Sequence, residues 1–531
     1  MNINENKEKR QGSRGGAVSG AFSLTVSAII FKIIGLIYKI PLSHLLGGEG
    51  MGYFNSAYTV YGLFYILCTA GVPKAITMLV LETKEGHSRF TEKQVVKTAI
   101  SLFLILGVLF TSVFMIFSGQ ISAFIGSSKA KTTMLAVAPS ILFVSLGGVL
   151  RGYLTSEMSF LNVAVSQILD GVGKLVFGLI FAYRAFTLGY SPELVSAFTI
   201  FGVTLGAFIS FLYMLISSKS QNTSQKTKQK LKIEDKQEIR KRIFGISLPI
   251  TVSAAVMSIG NIIDLLVVMK RLGAAGYSEQ EATALYGHYT TLAVPMLNFA
   301  LSVITPVSVA FLPMFINGRV KNDLRLSEES RKNALSLTSF ITAPLFFGIS
   351  AFAKEILTML FGSEGISTGA PLLVLIMPAA VFMSVLLIVN TTLEAEGSVR
   401  APILSMLIGS VLKVFISYFL ISDSDVGISA APIGTVVSYA VALSVSLGVA
   451  YKKHGIRFPI FKTHMVPYLN AGVTVICAKA LYAKVAFGAS ATLSLLLCAL
   501  LGGIIYTILS FLSGAISVKK VKNLAVCTKT S

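Results

Sequence analysis

Residues 139–174 read PSILFVSLGGVLRGYLTSEMSFLNVAVSQILDGVGK, and residues 378–413 read PAAVFMSVLLIVNTTLEAEGSVRAPILSMLIGSVLK. Laid over one another at a constant offset of 239, without a gap, they place Pro139 on Pro378, Phe143 on Phe382 and Ser145 on Ser384. Leu154 falls on Leu393, Glu157 on Glu396, Ser166 on Ser405 and Lys174 on Lys413. Proline, glutamate and lysine are scarce in apolar spans, so their coincidence in one register marks an internal repeat. Nearby, Gly71-Val72-Pro73 pairs with Phe311-Leu312-Pro313 at offset 240.

Each copy is two apolar runs joined by a short polar turn, and each run is long enough to cross a bilayer core of about 30 Å as a helix. Measured by that length, the chain holds about fourteen spans, from 17–42 and 54–81 to 491–513. Six spans separate the copies, an even number, so the two halves share one orientation. The expected architecture is an all-α polytopic membrane protein with two six-helix lobes. The lobes are related by an axis along the membrane normal and enclose a cavity. Residues 1–217 form the N-terminal lobe, 218–242 a basic cytoplasmic linker and 243–450 the C-terminal lobe. Residues 451–531 supply helices 13 and 14 and a cytoplasmic tail.

Composition agrees. Of 531 residues, 54% are hydrophobic and only 13% charged, with a mean hydropathy of +0.76. Soluble domains carry about 25% charged residues, so a soluble enzyme, a disordered chain and a fibrous repeat are excluded. The net charge of +21 would suit a nucleic-acid partner, but its location argues otherwise. Loops on one side hold 31 of the 45 Lys and Arg, and loops on the other hold 7. That asymmetry places both termini in the cytoplasm of a cell whose plasma membrane the chain spans many times. The positive charge is mostly topology. Four cysteines and five scattered histidines show no metal-ligand spacing. No Walker loop, nucleophile elbow or zinc-protease helix appears. Neither a cofactor nor an enzymatic activity is expected.

The remaining cations lie inside spans, where an ion costs about 2.5–3.5 kcal/mol on insertion scales and is a functional candidate by default. Lys32 sits near the middle of helix 1 with no acid at i±3 or i±4, and Lys39 follows two turns later on the same face. Lys74 follows Pro73 in helix 2, and Lys174 and Lys413 are central in helices 5 and 11. The blander alternatives are snorkelling for Lys39 and Lys74, and an i,i+4 ion pair between Asp170 and Lys174. The basic balance favours an anionic ligand such as pyrophosphate, for which lysine acts as a point charge. Asp170 and Asp264 are the candidate coupling-ion sites. Pro73, Pro139, Pro306 and Pro378 each remove a backbone hydrogen bond and are candidate hinges.

The run Gly47-Gly48-Glu49-Gly50-Met51-Gly52-Tyr53, with Tyr58, Tyr61 and then Ala70-Gly71-Val72-Pro73-Lys74-Ala75-Ile76, resembles the start of the stage V sporulation protein B group. The second-half run Leu393-Glu394-Ala395-Glu396-Gly397, then Gly409, Lys413, Val426-Gly427-Ile428 and Gly434-Thr435-Val436-Val437-Ser438-Tyr439, is similar to the same group. That group is a polysaccharide-export branch of the superfamily that also holds MurJ-type lipid II flippases and MATE multidrug exporters. The resemblance implies two six-helix lobes, plus helices 13 and 14 in the MurJ branch. It also implies alternating access and the flipping of undecaprenyl-linked saccharides. In MurJ-type proteins helix 1 carries cavity-facing basic residues. The first falls on Lys32, shortly before Gly35, and the second on Tyr38, with Lys39 beside it. By the same resemblance, helices 13 and 14 shelter the polyprenyl tail.

The expected function is therefore a flippase for an undecaprenyl-pyrophosphate-linked saccharide such as a peptidoglycan precursor. Lys32, Lys39, Lys74, Lys174 and Lys413 would line its cavity. Its partners would be the lipid-linked oligosaccharide, membrane lipids and cell-wall synthesis proteins, with no nucleic acid. Two alternatives stand beside it. An ion-coupled exporter of cationic drugs would use Asp170 or Asp264, and a non-transporting scaffold of envelope synthesis would dispense with the cavity lysines.

Overall fold

The computed structural model describes residues 35, 38–86, 88–220, 233–320, 323–398, 400–423, 425–485 and 491–515. Among these residues there are helices and no strands, and thirteen helices are long and apolar enough to cross a membrane. Most of the expected span 17–42 lies outside the described residues.

Residues 38–69 form α1. The sequence predicts a loop between helices 1 and 2 over 43–53, but helix continues through this region. Gly47, in a left-handed conformation at φ +62°, turns the chain within it. Helix resumes after a break at residues 70–71 as α2 (Val72–Lys84), with Pro73 in its first turn. Then follow α3 (Glu92–Ile125), α4 (Ala130–Val137), α5 (Ser140–Ser156), α6 (Phe160–Thr187) and α7 (Pro192–Ser220). After these come α8 (Ile233–Ala274), α9 (Glu279–His288), a five-residue π-helix at Tyr289–Ala293 and α10 (Val294–Val320). The chain ends with α11 (Leu324–Ala351), α12 (Ala353–Phe361), α13 (Ile366–Ile376), α14 (Pro378–Ala395), α15 (Arg400–Leu420), α16 (Ala430–His454), α17 (Ile460–Val485) and α18 (Ala491–Leu512).

Packing divides the chain into two compact units. One holds the chain to Gly273 together with Ser278–Gly287, and the other holds Ala274–Tyr277 and the chain from His288 onward. Residues 233–242 of the expected linker are the start of α8, and α8 packs within the first unit. Arg242 pairs with Glu82, and Arg89 with Glu238 and, at 3.5 Å, with Asp235. A β-carbon on Gly71 would lie 2.7 Å from Thr251 Oγ1, so the break before Pro73 is also where α8 comes closest.

The two repeat copies are built alike. Pro139 separates α4 from α5, and Pro378 opens α14 directly after α13. Pro306 lies inside α10, which runs on unbroken. In the first copy the turn after the hairpin's first helix has Glu157 N–H donating to the Tyr153 carbonyl, Met158 to Thr155 and Ser159 to Leu154. In the second copy Glu396 donates to Thr392, Gly397 to Glu394 and Ser398 to Leu393, the same pattern 239 residues on. Met158 and Gly397 hold the left-handed position, at φ +55° and +79°. A cation grips each turn. Lys84 Nζ lies 2.7 Å from Glu157 and donates to the Ser156 carbonyl at 3.4 Å. Arg319 donates to the Ala395 carbonyl at 2.7 Å and lies 3.8 Å from Glu396.

Glycine sets the closest helix contacts. A β-carbon on Gly173 would lie 2.8 Å from Gly206 Cα, and one on Gly206 would lie 2.6 Å from the Asp170 carbonyl oxygen and 2.8 Å from Lys174 N. α6 and α7 therefore touch backbone to backbone, as the Gly202-x-x-x-Gly206 spacing permits. The glycine-rich run at 47–52 serves α9 in the same way. A β-carbon on Gly52 would lie 2.8 Å from the Thr283 carbonyl carbon, and one on Gly287 would lie 2.7 Å from Gly52 N.

Candidate functional site

The polar interior of the first unit is assembled on α1, α5 and α6. Along one face of α1, rings recur at helical spacing. Phe54 and Tyr58 stack with centroids 5.9 Å apart, Tyr58 and Tyr61 are 5.8 Å apart, and Tyr61 and Tyr65 6.0 Å. Tyr38 meets Phe54 edge to face at 6.2 Å. It is buried against α6 and α7, where its hydroxyl donates to the Thr199 carbonyl at 3.4 Å. Only a glycine at 178 leaves room for that ring.

Lys174 reaches this ladder from α6. Its ammonium donates to the Tyr58 hydroxyl at 3.3 Å. It lies 4.3 Å from the centre of the Tyr58 ring and 5.5 Å from that of Tyr38, distances at which a ring face attracts a cation. Lys39, half-buried on α1, lies within electrostatic reach of Lys174. Two ammonium groups held near each other in an apolar protein are stabilised by an anion between them.

Asp170 sits one turn before Lys174 on the same face of α6. The i,i+4 pair does not close, because Lys174 turns to Tyr58 instead. Asp170 lies within electrostatic reach of both Lys174 and Arg151. Arg151 is a residue that the sequence reading missed, having counted it among the loop cations. It stands in α5 between Gly148 and Gly152, which press on the backbone of residues 68 and 73; its Nε is buried without a hydrogen-bond partner, and its charge lies within electrostatic reach of Tyr65. The clue was available: Arg151 falls inside the apolar run 132–154.

Lys32 is outside the described residues. Lys74 is exposed in the first turn of α2, directly after Pro73. Asp264 is half-buried on α8. Lys413 belongs to the second unit, where its stem packs against α16: a β-carbon on Gly434 would lie 3.4 Å from Lys413 Cγ. The repeat places Asn390 where the first copy has Arg151, and Gly409 where it has Asp170. Asn390 accepts a hydrogen bond from Ser446 at 2.8 Å, and Ser446 also meets Ser405 at 2.9 Å. The second unit thus carries a neutral network where the first carries charges. Among the described residues no group of three His, Cys, Asp or Glu side chains could hold a metal.

This fold, with Lys174 set on a tyrosine ladder, has relatives. The family model for the lipid II flippase MurJ matches residues 42–521. The chain belongs to the MurJ family. It is 23% identical to stage V sporulation protein B of Bacillus subtilis over 90% of this chain and 92% of that protein. It is 22% identical to lipid II flippase MurJ of the same organism, over 79% of this chain and 80% of the relative. Among solved structures, a lipid II flippase MurJ in an inward closed conformation shares the fold with a TM-score of 0.70 at 16% identity, covering 92% of this chain and 97% of that one. An inward-facing MATE-family multidrug transporter follows at 0.64 and 17%, covering 87% and 99%. This MurJ-family chain is therefore a multi-pass cytoplasmic-membrane protein of the superfamily that unites MurJ and MATE transporters, and a transporter rather than an enzyme.

Proposed function

We propose that this MurJ-family chain flips a polyprenyl-diphosphate-linked saccharide, a peptidoglycan precursor, to the outer face of the membrane. Alternating access drives the cycle, and both termini face the cytoplasm. The observation that carries this reading is Lys174 set on the first unit's tyrosine ladder, bonded to the Tyr58 hydroxyl and over its ring, with Lys39 within electrostatic reach of it. Two ammonium groups and a phenol offer charge-assisted hydrogen bonds to phosphate oxygens inside a span. By the sequence pattern Lys32 is a further candidate cation of this site, and Lys413 stands 239 residues after Lys174 in the second repeat. The apolar tail is left to α17 and α18, which pack on α11 through Tyr506, whose hydroxyl donates to the Phe340 carbonyl at 2.9 Å.

The test is complementation of cells depleted of their own lipid II flippase. The wild-type chain is expected to restore growth and precursor translocation, and a Lys39→Ala/Lys174→Ala double variant at equal abundance to fail. Wild-type translocation by the double variant would overturn the assignment. Asp170, which closes no ion pair with Lys174, also favours a second reading, in which a coupling ion binds there and a cationic drug leaves. Deletion would then raise drug susceptibility without a cell-wall or spore-cortex defect.

A further inference from the structure

The Lys39–Lys174 group is one end of a longer feature, whose other end is Arg151. We infer that Arg151 and Tyr65 form a second phosphate-binding station. The tyrosine ladder joins it to the Lys174–Tyr58 station, and Asp170 stands between the two. This inference rests on the flippase reading above.

Three sets of observations support it. First, the ladder is continuous. Tyr58, Tyr61 and Tyr65 are in ring contact in sequence, and each carries a hydroxyl able to donate to an anion. Seven residues of helix separate its ends, about 10 Å, or a third of the bilayer core. Second, a cation stands at each end. Lys174 is on Tyr58; Arg151 stands where α5 lies against the chain just past Tyr65, a β-carbon on Gly148 meeting the Cys68 carbonyl oxygen at 2.8 Å, and its Nε is buried without a hydrogen-bond partner, within electrostatic reach of Tyr65. The two cations are carried by different helices, α6 and α5. With the N-terminus inside, Tyr65 and Arg151 lie toward the cytoplasmic end of the ladder and Tyr58 and Lys174 toward the outer end. Third, Asp170 lies within electrostatic reach of both cations and of Tyr61 and Tyr65, yet closes no ion pair with Lys174.

These positions suit an anion that must move. One deep cationic site would bind a diphosphate and keep it; two weaker sites in series let it enter at one and leave from the other. A carboxylate between the stations makes each well shallower and disfavours a resting position midway. Arg151 supplies a planar fork that can engage two phosphate oxygens at loading, whereas Lys174 supplies a point charge from which release is easier. The second repeat has no counterpart of this path, with Asn390 and Gly409 at the two positions. That difference also provides a mild variant, because asparagine is the residue that the other copy holds at this place.

The experiment uses the full-length protein in proteoliposomes with a fluorescent polyprenyl-diphosphate disaccharide, following flipping against probe concentration. Arg151→Asn is expected to raise the half-saturating concentration about tenfold with a maximal rate within about twofold of wild type, which corresponds to losing one charge-assisted contact at loading. Arg151→Lys, which keeps the charge and loses the fork, should restore part of the loss. Lys174→Gln should instead lower the maximal rate more than it shifts half-saturation. If Arg151→Asn does not fold, Tyr65→Phe removes the neighbouring hydroxyl and should raise half-saturation in the same direction. An unchanged half-saturating concentration in Arg151→Asn, or equal impairment of Arg151→Asn and Arg151→Lys, would overturn the second station. If the wild-type protein moves no probe, the flippase reading itself falls, a separate outcome.

Discussion

Reversing one charge, Lys174→Glu, is expected to stop precursor flipping, lowering the rate at least about a hundredfold at wild-type abundance. On the flippase reading, Lys174 would contribute a charge-assisted hydrogen bond worth about 1.5–3 kcal/mol to the anionic ligand. A glutamate there removes that contact and stands one helical turn from Asp170, on the same face of α6. Two carboxylates then confront the phosphate where two ammonium groups had attracted it. A neutral Lys174→Met variant keeps the stem and the packing on Tyr58, so its rate should fall by only about tenfold. The measurement is flipping in proteoliposomes, with abundance checked by detergent-resistant folding. Lys174→Glu flipping within twofold of wild type would remove Lys174 from the binding machinery.

The second large effect comes from a residue with no charge. Gly206→Val is expected to destabilise the first unit by more than about 3 kcal/mol and to abolish transport. Its branched side chain would enter the space between α7 and α6, where even a β-carbon would lie 2.6 Å from the Asp170 carbonyl oxygen. Overpacking of this kind forces the backbone apart, and typical costs are about 1–3 kcal/mol even where side chains can yield. Here the obstacle is backbone, and the displaced helix is the one that carries Asp170 and Lys174. Gly206→Ala should give a smaller loss in the same direction. Gly448, with open space around its would-be β-carbon, is the control, and Gly448→Ala should leave melting unchanged or slightly raised. Thermal unfolding in detergent measures both. A Gly206→Val protein that melts with the wild type would show that α6 and α7 do not need their close contact.

Some of this was legible in the sequence, for physical reasons. The repeat could be read because Pro139, Glu157 and Lys174 are residues a membrane span tolerates only for cause, and each has its counterpart 239 residues later. The candidate lysines could be read because an ion in an apolar run is conspicuous. What could not be read was direction. Lys174 and Asp170 share a face of α6, yet a lysine stem reaches several neighbours, and Tyr58 on another helix offered both a hydroxyl and a ring. Arg151 was hidden by its position near a helix end, where counting charges by loops assigns it to topology. The junction at Gly47 was hidden because a single left-handed glycine turns a chain that otherwise reads as loop.

The unequal charging of the two repeats has a consequence for biogenesis. The most apolar 18-residue stretches of the spans Ala130–Ser156 and Phe160–Thr187 reach mean hydropathies of 2.0 and 1.6, whereas those of their counterparts Ile366–Ala395 and Arg400–Leu420 reach 2.9 and 2.0. A second set of Arg151 and Asp170 would add two more ions at about 2.5–3.5 kcal/mol each. Holding them once keeps the later hairpin apolar enough to partition into lipid on its own hydropathy. The earlier hairpin is the marginal one. The close glycine contact of α7 on α6 covers the face next to Asp170 and Lys174, so the earlier hairpin is expected to depend more than the later one on its neighbour for stable insertion.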